Sequence, residues 1–152
     1  MPRYQDDTLQ FDVPRDWQDR TIVAFAAPAR PGQDRTSNLV MTREQLAETE
    51  TLATYVDRHL LGLSERLEGF EIVERESRQM GDRPAVAVRI RSGDSDASVE
   101  QQMCMVELPR RVVASFTLTA PDEDADQMLP LFERILSTVR VSGAGRSAGG
   151  SS

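Results

Sequence analysis

One cysteine, one histidine and several acidic clusters are the residues of this 152-residue chain that could support chemistry. Cys104 as a nucleophile would need a base such as His59, together with a third group that orients the base in the same cleft. Cys104 lies in an apolar segment, and His59 falls on the apolar stripe of a predicted helix. We therefore expect a buried thiol and a packed histidine, and no enzymatic activity.

The acidic residues lack the spacing of a known ligand site. Asp94 and Asp96 resemble the start of a calcium loop, but the Gly and Glu that such a loop needs later are missing. A zinc site of three or four Cys and His ligands is excluded, because the chain has one residue of each type. The Gly-rich segment from Gly143 follows the last predicted helix, whereas a phosphate-binding loop precedes one. We expect neither a metal nor a cofactor.

Charge narrows the range of partners. The chain has 18 basic residues, all of them Arg, and 25 acidic residues, which gives a net charge of −7. This balance argues against nucleic acid and against direct binding to an anionic membrane surface. The N-terminus turns acidic where a signal peptide would be apolar, and no apolar run approaches the ~20 residues of a membrane span. A cytoplasmic location is the expectation.

Turn residues and periodicity predict the elements that position these side chains. Short connections between the strands favour antiparallel pairing, and Pro130 predicts an irregular first turn of the second helix. The expected fold class is α+β, an antiparallel sheet of about six or seven strands with two main helices. It forms one domain of residues 1–141, followed by a disordered Gly/Ser-rich tail of residues 142–152. Strands are predicted over residues 8–13, 21–26, 37–42, 70–80, 84–91, 98–108 and 112–119, and helices over residues 49–67 and 121–139.

Three predicted strands are apolar on both faces, at residues 22–26, 39–41 and 103–106. A strand covered on one face should alternate between apolar and polar residues. Helices on both sides of the sheet are one explanation, and an exposed apolar groove that binds a partner is the other. Only two helices are predicted, and adaptable Met side chains are frequent here, which favours the groove. The same strands contain polar residues that need hydrogen-bond partners, namely Ser37, Gln101 and Gln102.

The segment from Phe11 to Thr21 resembles the start of DcrB-related proteins and, among them, the Eag chaperones of type VI secretion systems. The resemblance continues in element order to about residue 141. It implies a PsbP-like fold and a homodimer that holds the N-terminal transmembrane segment of a PAAR-containing effector before export. The matching positions are Phe11, Val13, Pro14, Trp17, Asp19, Arg20 and Thr21.

The resemblance also implies client-binding residues, and the strand pattern adds two more. The residues implied by the resemblance are Ile22, Ala24, Ser37, Leu39 and Gln102, and those added from the pattern are Met41 and Met103.

The length of the client supports a dimer. A transmembrane helix is ~30 Å long and a seven-residue strand covers ~23 Å, so two protomers would be needed to enclose it.

Two alternative functions remain open. One is a scaffold domain with both sheet faces covered by helices, and the other is a small-molecule binder that uses Cys104 and His59.

Overall fold

The computed structural model describes residues 3–5, 10–16, 22–28, 36–94 and 97–141. A short antiparallel hairpin comes first, formed by β1 (Arg3–Gln5) and β2 (Gln10–Asp12). The other strands form one antiparallel sheet in the order β3-β4-β8-β7-β6-β5. They are β3 (Ile22–Ala26), β4 (Asn38–Gln45), β5 (Glu71–Met80), β6 (Arg83–Ser92), β7 (Val99–Leu108) and β8 (Val112–Pro121). Helix α1 (Leu52–Arg66) packs on one face of this sheet and helix α2 (Ala125–Ser137) on the other.

The predicted α+β class, with an antiparallel sheet and two main helices, is confirmed. Strand β1 was not predicted from the sequence. Strand β4 continues to Gln45, beyond the predicted end at Thr42, because its last residues pair with the start of β8. Residues 17–21 of the family-like opening and the predicted tail of residues 142–152 lie outside the described residues.

The irregular turn expected in the second helix lies before Pro130. A 3₁₀ turn over Asp122–Asp124 leads into α2, and the helix then continues through Pro130. Proline has no N–H to donate to the carbonyl four residues earlier, which here belongs to Asp126. Both residues are exposed, so water can satisfy that carbonyl and the helix is not interrupted.

Helix α1 begins at a capping box. The Thr51 hydroxyl accepts a hydrogen bond from the Thr54 amide at 3.2 Å, and the Thr54 hydroxyl accepts one from the Thr51 amide at 2.9 Å. These two bonds satisfy amides that a helix start leaves without intrahelical partners. The predicted apolar stripe forms the buried side of the helix, with Leu52, Tyr55, Val56, Leu60 and Leu63.

The core consists of two clusters, one on each face of the sheet. Strand β7 contributes to both, because its alternate side chains point in opposite directions. Met103 and Met105 lie under α1, whereas Cys104 and Val106 lie on the α2 side with Phe132. The apolar character of both faces of β7 is therefore explained by a helix on each side.

A buried carboxylate joins β6 to β7 near the start of α2. Glu100 accepts hydrogen bonds from Arg89 Nε at 3.1 Å, from Arg91 Nη2 at 3.5 Å and from Gln102 Nε2 at 3.0 Å. A buried carboxylate needs such partners, because a charge left in the interior without compensation is costly. The network thus fixes the register of β6 and β7 at this end of the sheet.

Gly69 and Gly81 provide a matched test of packing between loops. Both have φ 63°, but a Cβ on Gly69 would lie 2.5 Å from the Gly93 carbonyl oxygen, while a Cβ on Gly81 would meet no atom within 4 Å. Gly81→Ala should cost about 1–2 kcal/mol for the left-handed backbone alone. Gly69→Ala should cost at least about 1 kcal/mol more, because backbone must also move. Urea denaturation followed by circular dichroism measures both, and equal costs would contradict the close approach of residues 69 and 93.

Candidate functional site

The residues expected to bind a client do not share one surface. Strand register assigns each side chain to a face, since paired residues on neighbouring strands point the same way. Ile22 pairs with Thr42, Thr42 with Ser115, and Ser115 with Met105, which packs under α1. The α1 face therefore carries Ile22, Ala24 and Met103, and the α2 face carries Leu39, Met41 and Gln102.

Three of the expected residues are buried in the chain itself. Met103 is 1% exposed beneath α1, Gln102 is 2% exposed and Ser37, just before β4, is 4% exposed. The Gln102 amide nitrogen donates to Glu100 and to the Ala125 carbonyl oxygen, 3.3 Å away. These side chains belong to the interior of this structure and do not reach its surface.

Strand β3 is the exposed apolar element of the expected set. It forms one edge of the main sheet, and both Ile22 and Phe25 are 66% exposed. The two side chains lie on opposite faces, because Ile22 pairs with Thr42 and Phe25 pairs with Leu39. A contiguous exposed apolar surface of this kind is typical of a binding site, and each face of β3 offers one.

On the α1 face, the surface around β3 is open and combines small, apolar and polar side chains. We call it the open end of the α1 face. Ile22, Ala24 and Ala26 are exposed, and the side chains from β4, β7 and β8 are half-buried. The surface consists of Ile22, Ala24, Ala26, Asn38, Val40, Thr42, Gln101, Thr117 and Thr119.

Tyr55 marks the border between this surface and the part covered by α1. Its hydroxyl donates to Glu44 Oε1 at 3.1 Å and lies 3.5 Å from Ser115 Oγ, so the helix is attached to both β4 and β8. The Arg58 guanidinium lies 5.1 Å from the ring centroid, and the His59 ring stacks on the ring at 6.2 Å. Burial raises the pKa of Tyr55 and lowers the pKa of His59, so both rings are neutral at pH 7. The two rings at the border are thus uncharged, and the Arg58 guanidinium beside Tyr55 carries a positive charge there.

Gln101 brings an unsatisfied polar group to the open end. Its Nε2 donates to Thr119 Oγ1 at 3.2 Å, while its Oε1 is buried and has no hydrogen-bond partner among the described residues. A buried acceptor without a partner is costly, and a ligand donor would relieve that cost. The sequence had led us to expect its neighbour Gln102 at the client surface. Successive side chains of a strand point to opposite faces, so only one of the two glutamines lies on this face. The strand register decides which one, and the sequence does not reveal that register.

Cys104 and His59 cannot act as a pair. Cys104 is buried on the α2 side of the sheet, whereas His59 is on the helix that packs against the other side. Burial raises the pKa of the Cys104 thiol to about 11, so the reactive thiolate is scarce at neutral pH. Within the described residues, no three His, Cys, Asp or Glu side chains are grouped to hold a metal ion. In that same part of the chain, no helix is long and apolar enough to cross a membrane.

Comparisons with known proteins agree with this fold. The model of the DcrB family matches residues 9–138. PA94, a Pseudomonas aeruginosa protein of unknown function, is 24% identical, with 93% of this chain and 97% of that chain covered and a TM-score of 0.77. No curated protein matches the chain significantly.

Two further solved structures share the fold at lower identity. LpqN, involved in cell envelope biogenesis of Mycobacterium tuberculosis, is 13% identical over 78% of this chain and 82% of that chain, with a TM-score of 0.56. Cyanobacterial PsbP (CyanoP) from Synechocystis sp. PCC 6803 is 17% identical over 93% of this chain and 92% of that chain, with a TM-score of 0.55. The expected PsbP-like fold is confirmed.

The burial of Cys104 predicts an inert thiol. With a pKa of about 11 in place of 9, the thiolate fraction below pH 9 is about a hundredfold smaller than for a free thiol. Iodoacetamide at pH 8 should therefore alkylate the native chain at least about a hundredfold more slowly than the chain unfolded in urea. Mass spectrometry of timed samples measures both rates, and comparable rates would show that the thiol is accessible.

Proposed function

The chain belongs to the DcrB family, and from that premise we propose that it is a cytoplasmic chaperone for an exported protein. Its client is the N-terminal transmembrane segment of a PAAR-containing type VI secretion effector, which it binds and shields before export. The open end of the α1 face is the observation that supports this proposal most directly. There, an apolar edge strand stays exposed on a sheet whose centre is covered by helices.

The side chains of the open end suit a helix with small residues. Ala24 and Ala26 have little side chain above the sheet, so a client backbone can approach closely, as it does between packed transmembrane helices. Ile22 and Val40 provide larger apolar contacts on the same face. A bare transmembrane helix exposes far more apolar area than soluble proteins tolerate, and contact with this surface lowers that exposure.

Polar groups of the open end give the surface selectivity. The Gln101 side chain is half-buried, and its Oε1 has no partner among the described residues. After a side-chain rotation that brings this oxygen to the surface, it would accept a hydrogen bond from a Ser or Thr hydroxyl of the client. The hydroxyls of Thr117 and Thr119 lie on the same face and can donate or accept. A client without such groups would leave the buried acceptor unsatisfied and would bind more weakly.

The size of the surface supports a homodimer. Strand β3 has five residues and pairs with five residues of β4, which correspond to about 17 Å at ~3.3 Å per residue. A transmembrane helix is ~30 Å long and is apolar all round, so one open end covers only part of it. We propose that a second copy of the chain covers the remaining side.

The acidic charge of the chain fits a carrier of an apolar segment. A net charge of −7 favours solubility of the complex and opposes adsorption to anionic lipid. The charge opposes binding to an anionic membrane surface, whereas it does not oppose binding of an isolated, uncharged membrane segment.

The two exposed side chains of β3 provide a matched test of the client surface. Burial of an Ile side chain contributes about 1.5–3 kcal/mol, so Ile22→Gln should weaken client binding roughly tenfold or more. Phe25→Gln changes an equally exposed residue on the opposite face and should leave binding within about twofold of wild type. The measurement is co-purification with the N-terminal segment of a PAAR-containing effector from the same genome. Equal retention of the client by the wild-type protein, Ile22→Gln and Phe25→Gln would refute the proposal.

The homodimer is tested without a client. Light scattering at micromolar concentration should give about 34 kDa, twice the 17.0 kDa of one chain. A mass of one chain over this concentration range would contradict enclosure of the client by two copies.

A further inference from the structure

A second open surface lies on the α2 face, on the opposite side of the sheet from the client surface. It is a groove of about 580 Å³ between the tip of the β7–β8 hairpin and the segment that follows α2. We call it the arginine groove. Its apolar floor and wall are mostly half-buried, and they include Met41, Leu108, Val112, Phe116, Val139 and Val141.

The charge at the groove is positive, although the chain is acidic as a whole. Arg43, Arg110 and Arg140 line it, and none of the Asp or Glu side chains in the described residues does. The Arg140 guanidinium donates to the carbonyl oxygens of Ser137 and Val139, each 2.9 Å away. Within the described part of the chain, neither Arg110 nor Arg140 has a carboxylate at ion-pair distance.

The hairpin tip that carries Arg110 is strained and tightly held. Arg110 and the next residue, Arg111, have φ of 65° and 60°, a left-handed conformation that costs a side-chain-bearing residue stability. Gln45 Nε2 donates to both of their carbonyl oxygens, at 2.9 Å and 3.0 Å. The Arg111 guanidinium donates to the Ala47 and Glu50 carbonyl oxygens at 2.7 Å and 2.6 Å. Strain of this kind persists where the surroundings hold it and concentrates at functional sites.

We propose that the arginine groove binds an acidic amphipathic segment of a partner protein. Charge complementarity selects the acidic partner, since carboxylates on the segment would meet Arg110 and Arg140. The half-exposed floor favours a partner segment that is amphipathic, with one apolar face and one polar face. An acyl chain is apolar all round and would keep one side in water, whereas an amphipathic segment turns its polar face outward. Met41 and Phe116 provide a floor that can adapt to different apolar side chains.

A pair of designed peptides tests the proposal. The probe is a fluorescein-labelled 14-residue amphipathic helix with Leu on one face and Glu on the other, and its control carries Lys in place of Glu. Fluorescence anisotropy should show saturable binding of the Glu peptide below about 100 µM. The Lys peptide should bind at least about tenfold more weakly, because it meets like charge.

Matched charge reversals locate the contact. The double variant Arg110→Glu/Arg140→Glu should weaken binding of the Glu peptide about tenfold or more. The single variants Arg110→Glu and Arg134→Glu provide a control for charge alone, because they change the net charge equally. Arg134 is an exposed residue of α2 that does not line the groove. Arg134→Glu should leave binding unchanged, and so should Ile22→Gln on the other face. Circular dichroism confirms that each variant is folded.

Several outcomes would overturn the proposal. Absence of binding at 1 mM peptide, equal binding of the Glu and Lys peptides, or an equal effect of Arg110→Glu and Arg134→Glu would each do so. Saturable binding of dodecanoate without binding of the Glu peptide would assign the groove to an amphiphile instead.

Loss of client binding in Ile22→Gln with intact Glu-peptide binding would support the two surfaces as separate sites.

Discussion

The sheet is six strands wide, and a single helix packs on each of its faces. With ~4.8 Å between strands the outer strands lie roughly 24 Å apart, whereas a helix with its side chains is ~10–12 Å wide. One helix therefore covers two or three strands, and α1 and α2 both pack over the centre of the sheet. Both faces of strand β7 are therefore buried under a helix, while no helix covers β3 and the nearby part of β4. The client surface follows from this limited cover, and the arginine groove lies where α2 and the segment after it leave the tip of the β7–β8 hairpin open.

The sequence predicts the class and order of the elements well, because turn residues separate the segments. It does not predict which face each side chain occupies. The pairing of Ala26 with Asn38 makes Ala24 oppose Val40, so Leu39 and Met41 point away from Ile22. A shift of one residue would move them to the same face. Apolar residues on both faces of these strands leave no alternation from which that register could be inferred.

The absence of Lys fits the way this chain uses positive charge. Arg89 donates through two nitrogens to the buried carboxylate of Glu100, and Arg111 donates through Nη2 to the Ala47 and Glu50 carbonyls. A planar guanidinium with fixed donors suits the pair with Glu100, whereas a Lys ammonium would satisfy that carboxylate less completely. At the arginine groove, the same weakly hydrated group borders apolar surface. Arginine thus serves both the interior network and the charge of a surface.

Photo-crosslinking from the two faces of β3 tests the central claim most directly. Benzoylphenylalanine is placed at position 22 or at position 25, which are equally exposed and lie on opposite faces. Each protein is irradiated in complex with a transmembrane client segment, and the crosslinked product is measured by mass spectrometry. Client adducts from position 22 with few or none from position 25 are the predicted result. Equal adducts from both positions, or more from position 25, would contradict the assignment of the client to the open end of the α1 face.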